Sequence, residues 1–115
     1  MQHVEVDLKP RIMVAGERTF GPGKADLLDH IARTGSISAA AREMDMSYSR
    51  AWALVDEMNR AFKAPLVEKA AGGKRGGGAQ VTESGREALA AYRRMQKRLD
   101  DAAARFLPAF KPLLK

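Results

Sequence analysis

The stretch that decides the fold is Ser36-Ile37-Ser38-Ala39-Ala40-Ala41-Arg42-Glu43-Met44-Asp45-Met46-Ser47-Tyr48-Ser49-Arg50-Ala51-Trp52-Ala53-Leu54-Val55. Ser36 and Ser47 each stand before a run with apolar residues at helical spacing. A serine hydroxyl there accepts from the free N–H groups of a helix's first turn. The first predicted helix runs from Ile37 to Met44 and turns Ile37, Ala40, Ala41 and Met44 inward. The second runs from Tyr48 to about Phe62, with Ala51, Leu54, Val55, Met58 and Phe62 on one buried stripe. Only Asp45-Met46 separates them, and the alanines at 39, 40 and 41 let the helices approach closely. A short bracing helix, a tight turn and a second helix with a polar outer face form the helix-turn-helix plan, predicted here over 36–62. The second helix of that plan is slim enough to enter a DNA major groove.

The exposed side of the second helix supplies the first candidate site. Its opening turn, Ser47-Tyr48-Ser49-Arg50, offers two hydroxyls, a phenol and a guanidinium, all suited to base edges and phosphates. Free backbone N–H groups and the positive dipole end favour an anion at the same place. Ala53, one turn on, leaves room for the groove floor or a thymine methyl. Ser47, Tyr48, Ser49, Arg50 and Ala53 are therefore candidate DNA contacts. Capping reads as the main role of Ser47, and packing as that of Trp52.

Beyond this pair, Ala64-Pro65 ends the helix and Leu66-Val67-Glu68-Lys69 reads as a strand. Ala70 to Gln80 holds five glycines with Lys74 and Arg75, and Val81-Thr82 returns as a second strand. A strand, a basic glycine loop and a strand over 66–82 make a wing. Its glycines let the backbone approach a phosphate, and Lys74 and Arg75 supply the charge. A nucleotide-binding loop would need Ser or Thr after the lysine, then a helix, and Lys74 is followed by Arg75 and more glycines. Thr82 then caps a long helix, 83–107, with Pro108 as its stop. Along it Leu89, Tyr92, Gln96, Leu99, Ala103 and Phe106 alternate spacings of three and four, a heptad seam with one polar position. The seam predicts dimerisation through this helix.

Toward the N-terminus, Lys24 to Arg33 reads as a helix with Leu27, Leu28, Ile31 and Ala32 inward, and Gly35 closes it in the left-handed conformation. Gly21-Pro22-Gly23 reads as a break before it. Further upstream, Val4, Val6 and Leu8 alternate with Glu5, Asp7 and Lys9, the pattern of a half-buried strand that Pro10 interrupts. An N-terminal hairpin over 4–20, turning at Ala15-Gly16, completes the prediction.

Composition agrees with one domain spanning 1–115. The net charge of +6 invites a polyanionic partner. Cysteine is absent, which excludes disulfides and thiolate metal sites. No apolar run nears the roughly 20 residues of a membrane span, and the first residues lack a signal-peptide pattern, so the expected home is the cytoplasm without membrane contact. The two histidines, His3 and His30, stand apart, and no carboxylate pair or nucleophile motif appears. The reading is non-enzymatic, with no metal and no cofactor.

The run Gly35-Ser36-Ile37-Ser38-Ala39-Ala40-Ala41-Arg42 resembles the helix-turn-helix entry of LysR-type regulators. Its continuation, Met46-Ser47-Tyr48-Ser49-Arg50-Ala51-Trp52 with Asp56-Glu57-Met58-Asn59, is more specific and resembles the N-terminal domain of ModE-type molybdate-responsive regulators. The stretch from Val67 to Ala79 is similar to that family's glycine-rich wing, and Val81-Thr82-Glu83-Ser84-Gly85 to its continuation. The resemblance covers roughly 10–107. It implies a dimeric winged-helix regulator of molybdenum-related genes. Full-length members hold molybdate in a C-terminal barrel, and this chain stops before one, so tight molybdate binding by the chain itself is not expected.

The expectations together are a mainly α fold with small β-hairpins, a winged helix-turn-helix with a long C-terminal dimerisation helix. The expected function is that of a homodimer binding double-stranded DNA at a near-palindromic operator. A different class competes: a protein-interaction module that uses the fold as scaffold and pairs with other regulators through its last helix. An oxyanion-storage role ranks below both, because no concentrated oxyanion pocket is apparent.

Overall fold

A computed structural model describes residues 2–70 and 78–115. Two strands, β1 (Ile12–Val14) and β2 (Glu17–Phe20), precede three helices, α1 (Pro22–Thr34), α2 (Ile37–Glu43) and α3 (Tyr48–Ala61). Strands β3 (Val67–Lys69) and β4 (Ala79–Val81) follow, then α4 (Glu83–Ala104), the short α5 (Leu107–Phe110) and a final 3-10 turn, Lys111–Leu113. The fold is mainly helical with two antiparallel hairpins and a long C-terminal helix, as the sequence predicts.

Capping explains where the helices begin. The Ser36 hydroxyl accepts from the Ala39 N–H, Ser47 from Arg50 and Thr82 from Gly85, each at 3.0 Å. Gly35 ends α1 at φ +69°, its N–H donating to Ile31 at 2.8 Å. Between α2 and α3 the chain reverses through Asp45 at φ +59°, a left-handed position that aspartate tolerates better than most residues. Ala15 and Gly16, at φ +50° and +81°, give β1–β2 the turn whose twist suits a two-residue hairpin.

Several boundaries differ from the sequence reading. Residues 4–8 pair with no strand among the described residues, so the N-terminal hairpin occupies only 12–20. An alternating pattern creates a face, but a strand needs a neighbour for its backbone groups. Pro22 and Gly23 open α1 instead of breaking the chain before it; proline at a first helical position lacks only an N–H that has no partner there. Strand β4 lies at Ala79–Val81, which leaves Thr82 free to act as the cap. Helix α4 ends at Ala104, and Pro108 sits inside α5. A proline ring collides with the carbonyl four residues earlier, which here belongs to Ala104, so its effect lands one turn upstream of the ring.

The core joins all three leading helices. Leu27, Leu28 and Ile31 of α1 and Ala51, Val55 and Met58 of α3 are buried, with Ala40 and Ala41 of α2 between them. Phe20 makes edge-to-face contacts with Phe62 and Tyr92, at centroid distances of 5.7 and 5.4 Å. Arg93 ties α4 to α1 through Asp26 at 2.7 Å and Asp29 at 2.5 Å. Burial alone would lower its guanidinium pKa, but the two carboxylates outweigh that and raise it. Met95 still packs against the core; beyond Gln96 α4 leaves it and the molecule stretches to 58 × 33 × 21 Å. Leu99, Phe106, Phe110, Leu113 and Leu114 are exposed there.

Candidate nucleic-acid interface

Helix α3 presents its opening turn to solvent because its opposite stripe is consumed by the core. Ala51, Leu54, Val55 and Met58 are buried, while Ser47, Tyr48, Ser49, Arg50 and Ala53 are all exposed. The Ser47 hydroxyl accepts from the Arg50 N–H, which makes capping its role within the chain and leaves its own proton free to donate. Tyr48 and Trp52, one turn apart, form an edge-to-face pair with centroids 6.3 Å apart. They line a groove of ≈ 780 Å³ whose far wall is the base of the wing, Val67 and Lys69 with Ala79, and whose end is Ile37. Trp52 is therefore a rim residue, 38% exposed, rather than part of the core.

Arg50 points to the other flank of α3. It shares a groove of ≈ 440 Å³ with Arg11 and Arg18 of the N-terminal region and Lys24 of α1. Lys24 is engaged, donating to the Thr19 carbonyl and pairing with Glu57, each at 3.1 Å. The candidate contacts thus divide into an aromatic flank facing the wing and a guanidinium flank facing the hairpin. Lys74 and Arg75 lie outside the described residues.

Two features escaped the sequence reading. Asn59 is the bracket that seats the wing on α3. Its amide donates to the Val67 carbonyl at 3.0 Å, and its oxygen accepts from the Leu66 N–H at 2.8 Å and the Val67 N–H at 3.2 Å. A single polar residue on a helix flank gives no sign of such a role until the strand beside it is placed. The Ala79 N–H donates to the Gly35 carbonyl at 2.9 Å, so the wing is pinned to the α1–α2 corner as well. The second feature is Arg18, exposed on the hairpin, which only the fold brings into one groove with Arg11 and Arg50.

Across α1 and α2 a polar cluster stabilises the brace. Glu43 accepts from Arg33 at 2.6 Å and lies 2.6 Å from the His30 Nδ1. Hydrogen bonds from Arg33 first, then His30, hold the Glu43 carboxyl down at about 2. Among the described residues no group of three or more His, Cys, Asp or Glu is arranged to hold a metal ion.

The residues of the predicted seam separate along α4 into an inner and an outer group. Tyr92 is only 3% exposed and its hydroxyl donates to the Pro10 carbonyl at 2.7 Å, so its ring belongs to this chain's own core. Burial raises its pKa. Leu89 is half-buried against that core. Gln96 and Ala103 are half-buried, Leu99 is 40% exposed and Phe106 69%. With Met95 also packed on the core, the exposed apolar surface of α4 begins beyond Gln96.

Residues 24–86, from α1 through the wing to the start of α4, match the sequence profile of bacterial regulatory helix-turn-helix proteins of the lysR family. The chain belongs to that family. Within it, this lysR-type domain is 52% identical over 79 residues to the molybdenum-pterin-binding protein MopB of Rhodobacter capsulatus, covering 66% of the chain and 29% of that protein. It is 38% identical over 99 residues to the molybdenum transport protein ModE of Azotobacter vinelandii, covering 76% and 37%. To the DNA-binding transcriptional dual regulator ModE of Escherichia coli K12 it is 45% identical over 71 residues, covering 62% and 27%. The lysR-type domain thus corresponds to well under half the length of these relatives. Its fold is shared with the protein in the crystal structure of the CbnR_DBD-DNA complex, at a TM-score of 0.61 and 18% identity, covering 77% of this chain and 97% of that one.

Proposed function

We propose that this chain binds double-stranded DNA as a homodimer and regulates transcription at a near-palindromic operator, in a role linked to molybdenum. The observation that carries the reading is the opening turn of α3. Ser47, Tyr48, Ser49 and Arg50 are exposed on a helix whose opposite stripe is sealed into the core, so α3 is a rigid rod with one free polar face. Tyr48, Ser49 and Arg50 reach bases and phosphates in this reading, Ser47 fixes the turn and donates its hydroxyl, and Ala53 sits against the groove floor. Lys74 and Arg75 add backbone contacts from the wing. The molybdenum link rests on the names of the relatives. Dimerisation rests on the outer part of α4, where Leu99 and Phe106 are exposed and Gln96 and Ala103 half-buried, with Leu89 and Tyr92 supporting the helix from within. No catalytic step belongs to the reading, and it places the chain in the cytoplasm.

The test is a titration of the purified chain on selected and scrambled duplexes across several salt concentrations. A selected site should bind more tightly than scrambled DNA, with log affinity falling linearly in log salt. Half-sites should lie about one duplex turn apart, or a multiple of it. A chain that binds no duplex at low salt overturns the reading and leaves α4 as an interaction module for other regulators. Molybdate alone should bind weakly and be displaced by salt; a sub-micromolar site by calorimetry would contradict this.

A further inference from the structure

Residues 4–11 carry the pattern of a strand and pair with none among the described residues. Val4, Val6 and Leu8 alternate with Glu5, Asp7, Lys9 and Arg11. The segment runs along the outer half of α4 and the start of α5, where residues 4–8 line a cleft with Asp100, Ala104 and Leu107. Its backbone groups make no bond to other backbone among the described residues; the Pro10 carbonyl accepts from the Tyr92 hydroxyl. Extended backbone with a row of free N–H and C=O groups is a template for another strand.

We propose that this segment pairs with the same segment of a second copy, forming an antiparallel ribbon whose two-fold axis passes through Leu8. The proposal rests on the homodimer reading and says how the two chains meet at this point. Charge decides the register. Directly opposed residues lie on one face of a ribbon, so a centre between two residues would set charged positions against apolar ones. A centre on Val6 sets Glu5 against Asp7 of the other copy. Centres on Asp7 and Lys9 set each against itself, and a centre on Pro10 sets Lys9 against Arg11. A centre on Leu8 sets Asp7 against Lys9 and Glu5 against Arg11, twice each by symmetry, and collects Val4, Val6 and Leu8 on the other face.

Pro10 independently fits this register. If the charged pairs exchange the ladder hydrogen bonds, the N–H and C=O of residues 6, 8 and 10 point away from the partner strand. Pro10 has no N–H to offer, so nothing is lost there. Its carbonyl is already turned to Tyr92 of its own chain, at 2.7 Å. Within one chain Asp7 and Lys9 form only a loose, exposed pair at 3.9 Å, which is readily exchanged for the pairing across the ribbon.

The chain has no cysteine, which makes cross-linking clean. In this register Leu8 faces its own copy in a non-hydrogen-bonded pair, with Cα atoms about 4.5 Å apart, inside disulfide reach. Val6 lies about 13 Å from its copy, four strand steps away. Under mild oxidation Leu8→Cys should link at least about tenfold faster than Val6→Cys, whose separation lies beyond disulfide reach. Sedimentation should show Asp7→Lys raising the dimer dissociation constant about tenfold and Asp7→Lys with Lys9→Asp recovering most of it. Circular dichroism verifies that each variant is folded. If the protein is a dimer but Val6→Cys links as fast as Leu8→Cys, or the double variant recovers nothing, the ribbon is overturned and the homodimer reading stands. If the unmodified chain sediments as a monomer at micromolar concentration, both fall.

Discussion

Helices α3 and α4 carry the same kind of apolar stripe and meet different fates. In α3 the stripe Ala51, Leu54, Val55 and Met58 is buried against α1 and α2. In α4 the stripe is buried at Tyr92, half-buried at Leu89 and then opens to solvent, with Leu99 40% and Phe106 69% exposed. Periodicity reports that a helix has an apolar face. It does not report which surface covers that face, and for the outer half of α4 the chain itself supplies little beyond the edge of the N-terminal segment.

The contrast can be broken most forcefully in the core. Met58→Ala should cost about 3 kcal/mol of folding stability, since it empties a site with no exposure. Leu99→Asp should leave the unfolding transition of the helical core nearly unchanged and abolish the dimer, as read by sedimentation. If Leu99→Asp instead unfolds the chain, the outer half of α4 is part of the core after all.

Base reading and backbone grip separate on the guanidinium flank of α3. Arg50→Ala should cost on the order of 1–3 kcal/mol on the selected duplex and relax preference at one or two base pairs. Arg18→Ala, on the same flank but off the helix, should weaken all duplexes alike and lower the salt slope by about one unit. Equal losses on selected and scrambled DNA for Arg50→Ala would make it a phosphate clamp, in keeping with the basic groove it shares with Arg11 and Arg18.

Asn59→Ala tests the joint between α3 and the wing. Removing it leaves the Leu66 and Val67 N–H groups and the Val67 carbonyl without their side-chain partner, a loss of about 1–2 kcal/mol for a half-buried site. Hydrogen exchange at Leu66 and Val67 should accelerate more than at α1. Uniform acceleration across the domain would show that Asn59 supports the whole fold and not the wing in particular.

The smallest effect concerns acid. Glu43 is held at about 2 against an ordinary 4.5, so its contribution is fully present above about pH 4.5 and fades as pH falls toward 2. The difference in thermal midpoint between the native chain and Glu43→Gln should therefore shrink over that interval. A difference that stays constant down to pH 2.5 would show that the carboxylate's charge is not what braces α1 against α2.

The caps Ser36, Ser47 and Thr82, the left-handed Gly35 and the buried stripe of α3 were legible in the sequence because each follows from a local rule about one helix or one turn. The exposed turn Ser47 to Arg50 was legible for the same reason: the face opposite a buried stripe must be outside. What only the tertiary structure decided was where elements meet. It drew Tyr92 into the core through Phe20 and Pro10, although its spacing belongs equally to the outer seam. It made Asn59 a bracket, because Val67 comes to rest beside it, and it turned Arg50 toward the hairpin while Tyr48 and Trp52 face the wing. It also left residues 4–11 without a partner strand among the described residues, for alternation is a property of one segment and pairing is a property of two.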